Sequence, residues 1–225
     1  MDHPFPRSLR RRIEILKSAA AAFRRQGYHG TSVDDIAQAL RMTKGSLYYY
    51  FKSKEEILYV CHDYTLDLLL LKLKEIQSSG KSPADKLRAL VVAFVELITE
   101  EMHGTAAVTL DLEVLSAPLR RKIIAKRDRF DHGVRRIVRE GIEQRIFRPV
   151  DPKFATMALM GSINWIPRWY DPQGRSDPAA IGAAFADYLV EGLIRGSSAR
   201  LKPASTARSS RAATAVHPQI SAVKL

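Results

Sequence analysis

The sequence predicts an all-α protein. Apolar residues recur at three- and four-residue steps through most of the chain, no segment alternates convincingly as a strand, and helix-start and helix-stop residues punctuate the pattern at regular intervals. The expected organisation is a three-helix N-terminal domain over residues 1–53, a larger helical domain over 54–196, and a basic tail over 197–225 rich in Ser, Ala and Arg.

The first helix is expected over about residues 8–26, with Ile13, Leu16, Ala20 and Phe23 on one face and Gly27 as its stop. The second opens at Ser32, whose hydroxyl suits the free amide of Asp35, and Asp34 and Asp35 put negative charge at the positive helix end. Val33, Ile36, Ala37 and Leu40 form its apolar face, and Arg41-Met42-Thr43 breaks the pattern. Thr43 suits the cap of a third helix in which Leu47 and Phe51 point to the core, leaving Lys44, Ser46, Tyr48 and Tyr49 outward. Ser53 caps a long helix over about 54–77, which connects the two domains, and Ser78-Ser79-Gly80 ends it. Further helices are expected over 83–102, 105–114, 118–145, 152–169 and 178–195, several of them opening at proline, which the first helical turn tolerates.

Charge narrows the function. The net charge of +12 is concentrated: residues 1–60 carry 11 Lys/Arg against 6 Asp/Glu, 120–148 carry 11 against 4, and 197–225 carry 5 against none. The first block coincides with the short second and third helices. Two short helices joined by a tight turn, the second crowded with lysine, hydroxyls and tyrosines, form the inventory that lies in a major groove with its N-terminal residues at base edges. Paired core helices at a domain edge are the competing reading, but three adjacent tyrosines beside lysines fit a core poorly, because a buried phenol needs a hydrogen-bond partner. Arg7, Arg10, Arg11 and Arg12 read equally as an arm reaching DNA or as the solvated start of the first helix.

The segment from Gly27 to Lys54 resembles the DNA-binding domain of TetR-family transcriptional regulators. The resemblance rests on Gly27, Tyr28, Thr31, Ser32, Val33, Ile36, Ala37, Gly45, Leu47, Tyr48, Tyr49, Tyr50, Phe51, Lys52 and Lys54, and it covers about the first quarter of the chain. It implies double-stranded DNA with a palindromic operator as a partner. The DNA-facing set is expected to be Thr31, Ser32, Thr43, Lys44, Gly45, Ser46, Tyr48, Tyr49 and Lys54. It also implies a small-molecule effector held in the second domain. From Leu87 to Ile98 apolar residues nearly encircle the helix, which marks either a solid core or the wall of an apolar cavity, and the resemblance favours the cavity.

Trp165 and Trp169, the two tryptophans of the chain, stand four residues apart with Arg168 beside them, before a turn at Asp171-Pro172 and Gly174. Such a pair reads as core or interface anchors, or as ligand contacts. The run from Asn164 to Gly174 resembles the corresponding helix of TetR-family members that sense acyl-CoA thioesters in fatty-acid, aromatic-acid or steroid degradation. An acyl-CoA requires an apolar slot and cations for its phosphates. Phe94, Ile98, Met102, Leu112 and Leu115 are expected to supply the slot, and Arg120, Arg121 and Arg127, within the block that also holds Lys122, Lys126 and Arg129, the cations; Trp165, Arg168 and Trp169 complete the expected ligand set. A solvated helix face is the alternative for that block. The last helix carries Ile181, Ala184, Phe185, Tyr188, Leu189, Gly192 and Leu193 on one side and suggests, with its predecessor, a homodimer interface.

The expected function is a ligand-responsive repressor released from its operator by a small hydrophobic effector, an acyl-CoA. A drug-responsive repressor of an efflux transporter would have no use for the 120–129 block. A DNA-compacting protein would show no preference over random DNA. No catalytic role is expected: His3, His29, His62, His103, His132 and His217 are scattered without metal-ligand spacing, and neither a nucleophile elbow nor a phosphate-binding glycine loop is present. Neither metal nor cofactor is expected, apart from the effector. Cys61 is the single cysteine, the N-terminus has no apolar signal core, and the apolar run 66–73 is short and flanked by charges, so the expectation is a cytoplasmic protein without a membrane anchor.

Overall fold

The computed structural model describes residues 7–101 and 112–196 of the chain. Among these are eight α-helices, with no strand beyond one isolated bridge. The first helix, α1 (Arg7–Gly30), runs past the expected stop, yet Gly27 does break it: with φ 72° and ψ 167° it takes a conformation open to glycine, and one further turn follows the kink. The short helices α2 (Val33–Ala39) and α3 (Lys44–Tyr50) lie where the sequence placed them, with Arg41 in the left-handed conformation (φ 52°) closing the turn between them. Their core is Ile15, Leu16, Ala19 and Phe23 of α1 against Ile36, Ala37, Leu47 and Phe51.

The long helix α4 (Lys54–Gln77) is shared between two packings. Ser53 caps it by accepting from the Glu56 amide at 3.0 Å; it meets α1 at Cys61 and packs on α6 (Ala117–Glu143), with contacts from Glu55 to Gln77. Cys61, fully buried on α4, sets its thiol toward the Leu16 carbonyl at 3.7 Å. Burial pushes that thiol up from 9.0 to about 12. A pKa raised in the folded state gives stability that is complete below pH 9 and is lost as pH rises toward 12, at about 1.4 kcal/mol per unit. Urea titrations of the wild type and Cys61→Ala should therefore diverge: between pH 8 and 10 the wild type loses about 1 kcal/mol more than the variant. Parallel curves would show that the thiolate is accommodated.

Beyond α4 come α5 (Pro83–Glu96), α6 (Ala117–Glu143), α7 (Pro152–Trp169) and α8 (Pro178–Glu191). The helix expected over 83–102 is α-helical only to Glu96 and continues as a π-helical turn, Leu97–Glu101. Of the helix expected over 105–114, the described part is a 3-10 turn, Leu112–Val114; the rest, Met102 and the 197–225 tail lie outside the described residues. The helix expected to reach 145 stops at Glu143, since Arg145 turns left-handed (φ 58°). The last helix stops near 191 rather than 195 because the backbone there pairs with another segment. The Arg148 amide donates to the Leu193 carbonyl and the Arg195 amide to the Ile146 carbonyl, both at 2.8 Å.

The packing of these helices follows from residue size and charge. Gly182 lets α8 approach α5, where a Cβ would lie 3.3 Å from the Val92 Cα. Arg88 of α5 pairs with Asp187 and Glu191 of α8, and the buried Lys86 pairs with Glu140 of α6 at 3.2 Å. No helix among the described residues is long and apolar enough to cross a membrane.

Candidate nucleic-acid interface and effector site

The α2–α3 pair is built on local caps. Ser32 and Asp35 exchange hydrogen bonds: the Asp35 amide donates to Ser32 Oγ at 3.0 Å and the Ser32 amide to Asp35 Oδ2 at 2.7 Å. That backbone donor, then the Ser32 hydroxyl, holds the Asp35 carboxyl below its ordinary pKa. Thr43 caps α3 by accepting from the Ser46 amide at 3.1 Å, and the two hydroxyls lie 2.9 Å apart. Lys44 Nζ meets Asp34 Oδ2 at 2.6 Å, and this contact raises the ammonium pKa. Each capping hydroxyl still has bonding capacity, since a Ser or Thr oxygen carries one donor and two acceptor sites.

Ser32, Thr43, Lys44, Gly45, Ser46, Tyr48 and Tyr49 are all exposed, and six of these seven follow one another at the start and on the outer side of α3. Tyr49 is 83% exposed, and its ring meets the edge of Tyr50 at 5.1 Å. Nothing inside the protein demands glycine at position 45. An added Cβ would meet only Thr43 Oγ1, at 3.9 Å, so the missing side chain leaves room on the outside, where a partner's backbone would approach.

Two residues of the expected DNA-facing set turn inward. Thr31 is 1% exposed and donates its hydroxyl to the Gly27 carbonyl at 2.8 Å, which closes the kinked end of α1. Lys54 sends its ammonium to the Tyr28 and Thr31 carbonyls at 2.9 and 2.7 Å and lies 4.2 Å from the Tyr28 ring centroid. It therefore ties the start of α4 to the α1–α2 junction. Arg11 and Arg12 are likewise engaged by the carbonyls of Leu40 and Tyr50, and so are neither a solvated helix start nor a free arm.

In the second domain, Phe94, Ile98 and Leu115 are buried and Leu112 packs beside them in the same core; Phe94 meets Phe130 of α6 edge-on at 5.7 Å. Arg120 and Arg127 are half-buried on α6, and Arg121 is exposed. Burial depresses the Arg127 pKa. The basic block is not uniform. Lys126 is held by Asp63 and Asp67 of α4 at 2.6 and 2.7 Å; desolvation opposes its charge, and the two carboxylates outweigh that and raise its pKa. The Ser116 amide, at the start of α6, donates to Glu55 of α4 at 2.7 Å.

The tryptophans do not join Phe94 and Ile98 in the interior. Trp165 is 59% and Trp169 47% exposed, with Arg168 over the Trp165 ring at 5.0 Å and Trp169 stacked on Phe185 of α8. Phe154, Met157 and Tyr188 are also exposed on α7 and α8, and a cleft of about 420 Å³ opens between these helices beside Phe154, Leu159 and Tyr188. Spacing alone could not say which side of α7 faced the core.

The arrangement defines an all-α regulator class, an N-terminal helix-turn-helix joined by one long helix to a helical bundle. Residues 15–59 match the tetR family of bacterial regulatory proteins and residues 80–193 the tetracyclin repressor-like C-terminal domain. The chain belongs to the TetR family of bacterial transcriptional regulators. It is 29% identical over 188 residues to the HTH-type transcriptional repressor KstR2 of Mycobacterium tuberculosis, covering 82% of this chain and 94% of that protein. The TetR-family regulator PfmR from Thermus thermophilus superposes with a TM-score of 0.72 at 36% identity, over 80% of this chain and 99% of that one. AibR, solved in complex with isovaleryl coenzyme A and operator DNA, gives a TM-score of 0.68 at 30% identity over 81% of this chain and 98% of its own.

Proposed function

We propose that this regulator is a homodimeric repressor that grips a palindromic operator through α3 and is released from it by an acyl-CoA thioester. The observation that carries the DNA half is the contiguous exposed run from Thr43 to Ser46 with Tyr48 and Tyr49. Ser32 at the start of α2 joins this set as a phosphate contact. Dimerisation draws on the exposed apolar side chains of α7 and α8, and Trp165 and Trp169 belong to that seam in this reading.

The effector half draws on the chemistry of α5 and α6 and on the likeness to AibR, whose complex holds isovaleryl coenzyme A. Phe94, Ile98, Leu112 and Leu115 supply an apolar wall, and Arg120, Arg121 and Arg127 supply cations for the coenzyme A phosphates. A shift of α6 passes to α4 through Glu55, Asp63 and Asp67, and from α4 to the α1–α2 junction through Lys54. Release requires the effector to prefer the conformation that binds DNA poorly, typically by about 1–3 kcal/mol of coupling. A coupling of that size weakens the operator complex without forbidding a ternary one.

Calorimetric titration with a panel of acyl-CoAs of different chain length is the test. At least one thioester should bind, more weakly to the Arg120→Ala, Arg121→Ala double variant, and it should lower affinity for operator DNA. Failure of every thioester to bind, with binding of hydrophobic cationic drugs instead, would favour the efflux-repressor reading.

A further inference from the structure

The DNA-reading helix is held at its far end by a residue outside the helix-turn-helix. Arg12 of α1 donates through Nη1 to the carbonyl of Tyr50, the last residue of α3, at 2.8 Å. Its guanidinium also lies 4.5 Å from the ring centroid of Phe51, which is 1% exposed and caps the same helix. The next residue back does the same for the other helix of the pair: Arg11 Nη2 donates to the carbonyl of Leu40, the C-cap of α2, at 3.3 Å, while Nη1 pairs with Glu14 at 2.6 Å. Successive residues of a helix point about 100° apart, so adjacent arginines can reach two different helix ends.

The chemistry suits the task. The last carbonyls of a helix lack intrahelical partners and carry the negative end of its dipole, and a cation placed there is favourable. A seven-residue helix such as α3 has little stability of its own and takes its direction from what holds it. Leu47 anchors its inner side, fully buried, while Thr43 caps its start. The Arg12 contact fixes the end, and so the tilt at which Thr43, Lys44 and Ser46 are presented. A planar guanidinium has a face that stacks and donors that point out along its own plane, whereas an ammonium is a compact point donor without a stacking face.

We propose that Arg12 is a positioning residue for operator recognition: it sets the tilt of α3 and does not itself neutralise a DNA phosphate. This rests on the reading of α3 as the operator-reading helix. A phosphate-contacting arginine and a positioning arginine differ in salt dependence, because each lost phosphate contact lowers the slope of log K against log salt by about 0.9.

The experiment compares wild type, Arg12→Gln and Arg12→Lys on two duplexes, one selected by the wild type from a random library and one random, across a salt series. The ratio of the two affinities is taken on one preparation, so any inactive fraction cancels. Arg12→Gln should lose roughly ten- to hundredfold of that ratio, the scale of one or two lost base contacts, with an unchanged salt slope. Arg12→Lys should recover little of it, although the charge is restored. A retained ratio with a shallower slope would make Arg12 a phosphate contact and overturn the proposal. A lower melting temperature with ratio and slope both retained would make it a purely structural residue and overturn it equally. Absence of any wild-type preference for the selected duplex would instead refute operator recognition by α3, and the inference with it.

Discussion

At micromolar concentration the wild type is expected to sediment as a dimer and the Phe154→Glu, Trp165→Glu double variant as a monomer. Phe154 and Trp165 are 66% and 59% exposed, and with Met157 and Trp169 they follow α7 at intervals of three, eight and four residues on its outer side. Tyr188, 76% exposed, extends the apolar surface onto α8. Full burial of one such side chain is worth about 1.5–3 kcal/mol, and a two-fold axis buries each of them twice. Carboxylates at two of these positions would place four uncompensated charges in the seam, which costs more than losing the contacts alone.

The same variant should bind a selected duplex about 10²- to 10⁴-fold more weakly. Two recognition helices on one body bind their half-sites with an effective concentration that separate monomers lack. Since the substitutions lie in α7, far along the chain from α3, a retained melting profile for α1–α3 would exclude unfolding as the cause. A wild type that sediments as a monomer, or a variant that remains a dimer, would place the subunit interface elsewhere.

Tyr49→Ala should cost operator affinity about 25-fold or more, with almost no change in stability. The ring is 83% exposed, so removing it from the free protein leaves no cavity; Tyr50, which it meets edge-on, retains its packing on the core. One lost contact of the kind made at base edges is worth roughly five- to a hundredfold per half-site, and a symmetric dimer loses it twice. Electrophoretic mobility shifts on the selected duplex, read beside thermal unfolding, separate the two quantities. Unchanged affinity would remove Tyr49 from the interface and leave Thr43, Lys44 and Ser46 as the reading group.

Features that depend on neighbours three or four residues apart were legible in the sequence. Ser32, Thr43 and Ser53 are caps in the structure as in the sequence, with the amides of Asp35, Ser46 and Glu56 as their partners, since a cap is a short-range hydrogen bond fixed by helix geometry. The stop at Gly27 was legible for the same reason, and the turn that follows it was not, because Thr31 and Lys54 stabilise it from outside the helix. Charge counting overstated the free cations. Lys54 was counted among the DNA contacts and Lys126 within the phosphate-facing block, and Arg11 and Arg12 were read as either a DNA-reaching arm or a solvated helix start. The partners of Arg11, Arg12 and Lys54 lie 29, 38 and 26 positions away, and those of Lys126 lie on another helix.

By itself the sequence determined the all-α class, the position of the helix-turn-helix and the residues offered on the outer side of α3, because periodicity and capping are properties of neighbouring residues. Only the tertiary structure decided which cations remain for a partner and which hold helix ends, and on which side of α7 the tryptophans lie. Those outcomes depend on what a side chain reaches across the fold. A side-chain cation is drawn both to a phosphate and to backbone carbonyls at a helix end, and the packing of α1 and α4 against their neighbours gives Arg12 and Lys54 to the carbonyls.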